Sequence, residues 1–157
     1  MATAGTASAD TPPTTLSVNP AGGINGSVCL DIVGGSYANA APVQIYACNG
    51  TPTQKFIKVT AGSTIRSAAT GKCLNVKGGA TANGSKVDMY TCNGTGSQVW
   101  MDRGTVGQPR SLYNPQSNKC LNDPKGPFRG PDRDLGLHWL LQPALAPAHE
   151  YLTWADT

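Results

Sequence analysis

The chain has 157 residues and a mass of 16.2 kDa, enough for one domain with a buried core and too little for a second. Only 13% of the residues are charged, the net charge is +3, and the 12 Lys and Arg form no run, which argues against partnership with nucleic acid or a membrane surface. Acid and base groups are scarcer still: the single Glu (Glu150) and both His (His138 and His149) lie near the C-terminus, and between Ile24 and Met101 the carboxylates are Asp31 and Asp88 alone. Glycoside hydrolysis usually needs two carboxylates at a set separation, and a Ser or Cys nucleophile needs a base beside it. The inventory points to a binding protein rather than an enzyme, with no catalytic residue, no metal and no cofactor.

Residues 1–23 are small, polar and rich in Pro and Thr, with almost nothing to bury, which predicts a flexible linker. The first residues, Met1 to Ala9, carry neither the basic nor the apolar region of an export signal. No window approaches the roughly 18 apolar residues of a membrane span. From Ile24 the pattern changes to short apolar alternations broken by Gly, Asn and Pro: SVCLDIV, PVQIYAC, QKFIKV, STIRSA, KCLNVK, KVDMYTC, QVWMD, RSLYN and KCLND. Their recurrence every 8 to 12 residues is that of an all-β barrel or sandwich.

The runs also repeat. Cys29 to Phe56 aligns without gaps on Cys73 to Trp100 at an offset of 44, with 13 of 28 positions identical. A third copy starts at Cys120, 47 residues after Cys73, behind the same kind of strand and turn. A threefold plan follows, in which each unit of about four strands cannot bury its apolar face alone. After Lys125 the third copy loses the pattern: the tail from 126 to 157 turns to Leu, Pro and Ala, which reads as a frameshifted or a divergent third repeat.

The combination CLD…GG…AN…VQ-x-Y-x-CNGT…Q-x-W resembles the ricin B-type lectins and the related family 13 carbohydrate-binding modules. The resemblance covers Ser27 to about Pro124. It implies a β-trefoil, here with an incomplete third lobe, whose repeats occupy residues 24–125. It further implies a non-catalytic carbohydrate-binding module for galactose- or xylose-type sugars, carried by a secreted bacterial glycoside hydrolase with its own catalytic domain. The other reading is a degenerate trefoil without sugar affinity, acting as a structural or protein-interaction domain.

Five cysteines stand at 29, 48, 73, 92 and 120, and the first two pairs are each 19 apart at matching repeat positions. In a secreted setting they read as disulfides Cys29–Cys48 and Cys73–Cys92, with Cys120 left over; in a reducing one they would be buried thiols. A zinc site does not fit, because the spacings are wrong and no His is near. The aromatics of the Q-x-W positions, Phe56 and Trp100, read as core filling.

In the first repeat the resemblance makes Asp31 the acceptor for sugar hydroxyls and Tyr46 the stacking platform, with Gln44, Asn49 and Gln54 as polar support. The plainer alternatives are a strand-end carboxylate and a surface aromatic. Thr53 stands where strong binders of the family often carry Asn. In the second repeat the matching residues are Asn75, Tyr90, Asn93 and Gln98, with Asp88 at the Gln44 position. An amide at 75 in place of a carboxylate implies a weaker site there. The third repeat keeps Asn122 and Asp123 without an aromatic and is expected to hold no site. The sequons at Asn25, Asn49, Asn83 and Asn93 fall at turns of the repeat, so turn chemistry explains them better than glycosylation.

Overall fold

The computed structural model describes residues 10, 12–18, 28–103, 111–122, 138–140 and 152–154. Twelve strands run through them: β1 (Thr14–Val18), β2 (Val28–Ile32), β3 (Ala41–Ala47), β4 (Lys55–Val59), β5 (Thr64–Ser67), β6 (Cys73–Val76), β7 (Val87–Tyr90), β8 (Met101–Arg103), β9 (Ser111–Asn114), β10 (Lys119–Asn122), β11 (His138–Leu140) and β12 (Leu152–Trp154). The other regular elements are four single 3-10 turns. All-β architecture follows from the period-2 runs, since Leu30 and Ile32, Val43 and Ile45, Leu74 and Val76, and Val87 and Met89 alternate onto one face and enter one core.

Every ladder is antiparallel, and the sequence repeat reappears as a repeat of register. Leu30 pairs with Ile45 and Asp31 with Gln44 across β2 and β3, while Leu74 pairs with Met89 and Asn75 with Asp88 across β6 and β7. Hydrogen-bonded neighbours β1-β2-β3-β7-β6-β5-β4 close into a circuit through a β1–β4 pairing, and β8, β9, β10 and β11 form a second sheet. Closure removes the exposed strand edges that invite aggregation. Phe56 and Trp100, both fully buried, fill the middle of the core, and the Trp100 indole N–H donates to the Leu74 carbonyl at 2.9 Å.

Two segments differ from the sequence reading. Thr14–Val18, within the expected linker, is strand β1 and pairs with β2, β4 and β12. The tail supplies β11, whose Leu140, Trp139 and His138 stand opposite Cys120, Leu121 and Asn122, and β12, whose Trp154 stands opposite Leu16. The physical reason is common to both: an open strand edge recruits any reachable extended segment, and β-branched Thr residues suit one. Asn25, Asp123, Lys125, His149 and Glu150 lie outside the described residues.

Disulfides Cys29–Cys48 and Cys73–Cys92 tie the start of β2 and of β6 to the turn that follows the partner strand. Each closes a short loop and stabilises by about 3 kcal/mol, chiefly by restricting the unfolded chain. Cys120 belongs to neither. Protein folded under oxidising conditions and then unfolded without reductant should therefore titrate one thiol with a disulfide exchange reagent. Five thiols would show that the paired cysteines stay reduced.

Candidate functional site

Strand alternation that sends Leu30 and Ile32 inward sends Cys29 and Asp31 to the opposite face, where Asp31 is 7% exposed. Its carboxylate accepts from Gln44 Nε2 at 2.9 Å and from Thr53 Oγ1 at 2.9 Å. In the second lobe the amide and the carboxylate have changed strands. Asn75 Nδ2 donates to Asp88 Oδ1 at 2.8 Å, and Ser97 Oγ donates to Asn75 Oδ1 at 2.9 Å. Each lobe thus holds one carboxylate–amide pair at equivalent register positions, with the negative charge on β2 in one and on β7 in the other.

The wall beside each pair is the turn after β3 or β7. Asn49 Oδ1 accepts from the Thr51 backbone N–H at 3.1 Å and from Thr51 Oγ1 at 2.7 Å, and Asn93 does the same with Thr95 at the same distances. Behind the turn sits a glutamine with no exposed surface. Gln54 Oε1 accepts from the N–H groups of Asn49 and Gly50, and its Nε2 donates to the Ala47 carbonyl; Gln98 bonds likewise to Asn93 N–H and Thr91 C=O. Both glutamines, expected among the sugar contacts, are walled off from solvent and spend their amides on backbone. They hold the backbone of Asn49 and Asn93 in place.

Opposite that wall, the double-glycine turns Val33–Gly35 and Lys77–Gly79 bring the chain close to the pair. Gly78 and Gly79 both sit at φ 64, a left-handed conformation that glycine adopts without a Cβ penalty. Tyr46 and Tyr90, opposite Cys29 and Cys73 in the ladders, are 36% and 40% exposed, as a stacking surface requires.

In the second lobe these parts enclose a cavity of about 620 Å³ lined by Asn75, Asp88, Tyr90, Asn93, Thr95, Ser97 and the Lys77–Gly79 turn. Ala40 from the first lobe and Gln116 from the third complete it. Among the contributors that went unrecognised in the sequence are Thr95, Ser97, Lys77, Ala40 and Gln116. The two hydroxyls had a readable signal, since Thr51 and Thr95, and Thr53 and Ser97, recur at the offset of 44. Nothing local marked Gln116, which reaches the pocket across a lobe boundary.

No group of three His, Cys, Asp or Glu that could hold a metal occurs among the described residues. Amide, hydroxyl and carboxylate groups around a half-open hollow suit a hydroxyl-rich ligand.

A sequence profile of the ricin-type β-trefoil lectin domain matches residues 21–128. The chain belongs to that family. Among curated proteins none matches it. Among solved structures, a designed threefold-symmetric protein, ThreeFoil, is 19% identical with a TM-score of 0.67, over 82% of this chain and 91% of that one. An exo-β-1,3-galactanase from Clostridium thermocellum is 23% identical with a TM-score of 0.71, over 92% of this chain but 31% of its own length. A non-toxic homologue of type II RIPs from Momordica charantia, solved with α-methyl-D-galactoside, is 23% identical with a TM-score of 0.56, over 81% of this chain and 42% of that one. These likenesses establish the β-trefoil fold, and the lectin domain spans about a third of the galactanase it resembles.

Burial raises the pKa of Asp88 above the ordinary carboxylate value, against the opposing pull of the Asn75 amide and the Lys77 charge. A carboxyl with a raised folded-state pKa binds its proton more readily folded than unfolded, so its ionisation disfavours the fold at neutral pH. That cost disappears as the pH falls through the raised value. Asp88→Asn keeps an acceptor for Asn75 and removes the charge. It should therefore hold or raise the melting temperature at neutral pH and shrink its advantage over the wild type on acidification. Asn75→Asp should do the reverse: two carboxylates would meet where Asn75 Nδ2 now donates to Asp88, losing about 1–3 kcal/mol at neutral pH and recovering in acid. Thermal melts of both variants at neutral and mildly acidic pH check the two signs.

Proposed function

We propose that the lectin domain is a non-catalytic carbohydrate-binding module that takes galactose- or xylose-type sugars of polysaccharides, and that it serves a secreted bacterial glycoside hydrolase whose catalytic domain lies elsewhere in the parent protein. The observation that carries this reading is the duplicated carboxylate–amide pair, Asp31 with Gln44 and Asn75 with Asp88, set beside an exposed tyrosine in each lobe. A carboxylate accepts charge-assisted hydrogen bonds from hydroxyls, an amide can donate and accept, and an aromatic face meets the apolar C–H face of a pyranose. Asn49 and Asn93 border the two sites, and Gln54 and Gln98 hold those asparagines in place.

Three facts support the larger setting. The family is one of lectins, the chain resembles a fraction of a galactanase, and paired disulfides persist in oxidising compartments. The scarcity of acid and base groups near the pockets speaks against chemistry of its own.

Binding by single lobes of this kind is weak, with Kd on the order of millimolar, and retention on a polymer comes from lobes acting together. Wild-type protein should be retained on galactose-agarose or on insoluble xylan and eluted by the free sugar. Asp31→Ala combined with Asp88→Ala should abolish retention, and Tyr46→Ala or Tyr90→Ala should each weaken it. Passage of the wild type through both matrices would leave a degenerate trefoil with a structural or protein-interaction role.

A further inference from the structure

The two lobes are not equivalent in what they leave open. Asp31 uses both carboxylate oxygens internally, Oδ2 for Gln44 Nε2 and Oδ1 for Thr53 Oγ1. Asp88 uses only Oδ1, for Asn75; among the described residues nothing donates to Oδ2, and Asp88 is one of the residues that line the cavity. That oxygen is not sealed in the core either, because among the described residues the one buried side-chain oxygen without a partner is Thr64 Oγ1. The second lobe therefore offers a ligand a carboxylate oxygen with its full accepting capacity.

The lobes also differ in their third wall. Gln116, in the turn between β9 and β10, donates from Nε2 to the Gly79 carbonyl at 3.0 Å and lines the second-lobe cavity with its side chain. Its approach is close: a Cβ on Gly96 would come within 2.5 Å of Gln116 Oε1, so glycine at 96 is what lets the side chain lie there. The turn itself is held by Asn114, whose Nδ2 donates to the carbonyls of Gly96 and Val99 at 2.9 Å. The offset of 47 that carries Cys73 onto Cys120 carries Ala69 onto Gln116, so the first lobe has a methyl group where the second has a carboxamide. Gln116 Nε2 is spent on Gly79, which leaves its carboxamide oxygen as the acceptor, and Gln116 lines the same cavity as Asp88 and Lys77.

Resting on the carbohydrate-binding reading above, we propose that the second-lobe pocket is the principal sugar site of this domain, that Asp88 on β7 is its hydroxyl-accepting carboxylate, and that Gln116 from the third repeat is a specificity-determining contact. The ligand is a neutral pyranose with adjacent hydroxyls. One hydroxyl donates to Asp88 Oδ2 and a neighbour donates to Gln116 Oε1, while Tyr90 covers the C–H face. A sugar that lacks or inverts the hydroxyl facing Gln116 leaves that carbonyl unmatched, which is how one side chain separates closely related sugars.

Titration of the full chain with D-galactose and D-xylose, followed by chemical-shift perturbation, tests this with three variants. Asp88→Asn should weaken binding by about tenfold or more, the usual cost of exchanging a charge-assisted acceptor for a neutral one. Asp31→Asn should weaken it several-fold less than Asp88→Asn. Gln116→Ala, an exposed change that leaves the core intact, should weaken the preferred sugar about three- to tenfold and compress the ratio between the two sugars. A greater loss from Asp31→Asn than from Asp88→Asn, or equal losses, would overturn the assignment of the principal site while leaving the domain a sugar binder. An unchanged galactose-to-xylose ratio in Gln116→Ala would overturn the specificity role. If neither sugar perturbs the wild type, the carbohydrate-binding reading itself falls, and this inference with it.

Discussion

The site depends on a buried glutamine. Gln54 and Gln98 have no exposed surface, and each satisfies backbone N–H and C=O groups of the turn that follows a site strand. A turn of that kind cannot pair with a neighbouring strand, so its inner polar groups need a partner from side chains, at about 1–3 kcal/mol for each group left unmet. The glutamine lies two residues before the core aromatic, Phe56 or Trp100, so the ring that fills the middle of the core also fixes the place of the amide. Core packing, turn geometry and the position of Asn49 or Asn93 are coupled through that spacing. The disulfides reinforce the same point, since Cys48 and Cys92 each directly precede the asparagine.

Strand alternation then divides the work between two faces of the same short segments. Leu30 and Ile32, or Leu74 and Val76, contribute apolar burial, while Asp31 or Asn75 between them points to the pocket. A slip of one residue in register would bury the polar member in the core and expose its neighbours. The core thus specifies the site's register, and the buried site residues are left to satisfy one another across the ladder.

Much of this was legible from the repeat. The alternations gave the strands, the 44-residue offset matched the two site pairs, and the equal cysteine spacing matched the disulfides found in both lobes. What stayed hidden has physical causes. The strand at Thr14–Val18 lies in a stretch whose composition resembles a linker, and its conformation comes from partners in β2, β4 and β12 rather than from its own pattern. The same holds for β11 and β12 in the tail. Gln116 is invisible for another reason: its relevance arises from a contact with Gly79 across a lobe boundary, 37 residues back along the chain. The glutamines read as polar support of the pocket, and the structure shows the bonds through which they give it, to the backbone of the turn.

The exchange of charge between the two lobes illustrates how a duplicated site can diverge without failing. Asp31 and Gln44 face each other, and their counterparts Asn75 and Asp88 face each other with the roles reversed. Going from one arrangement to the other takes two substitutions, and the state between them has either two facing carboxylates or two facing amides. Two buried carboxylates repel unless one takes a proton, whereas two amides can still donate and accept across the pair. The amide intermediate is therefore the route of lower cost. Reversal also changes which acceptor is available: on β2 the carboxylate lies within reach of the hydroxyl of Thr53, but on β7 it lies beyond Ser97, whose hydroxyl goes to Asn75 instead. Moving the charge by one strand is enough to free an oxygen for a ligand.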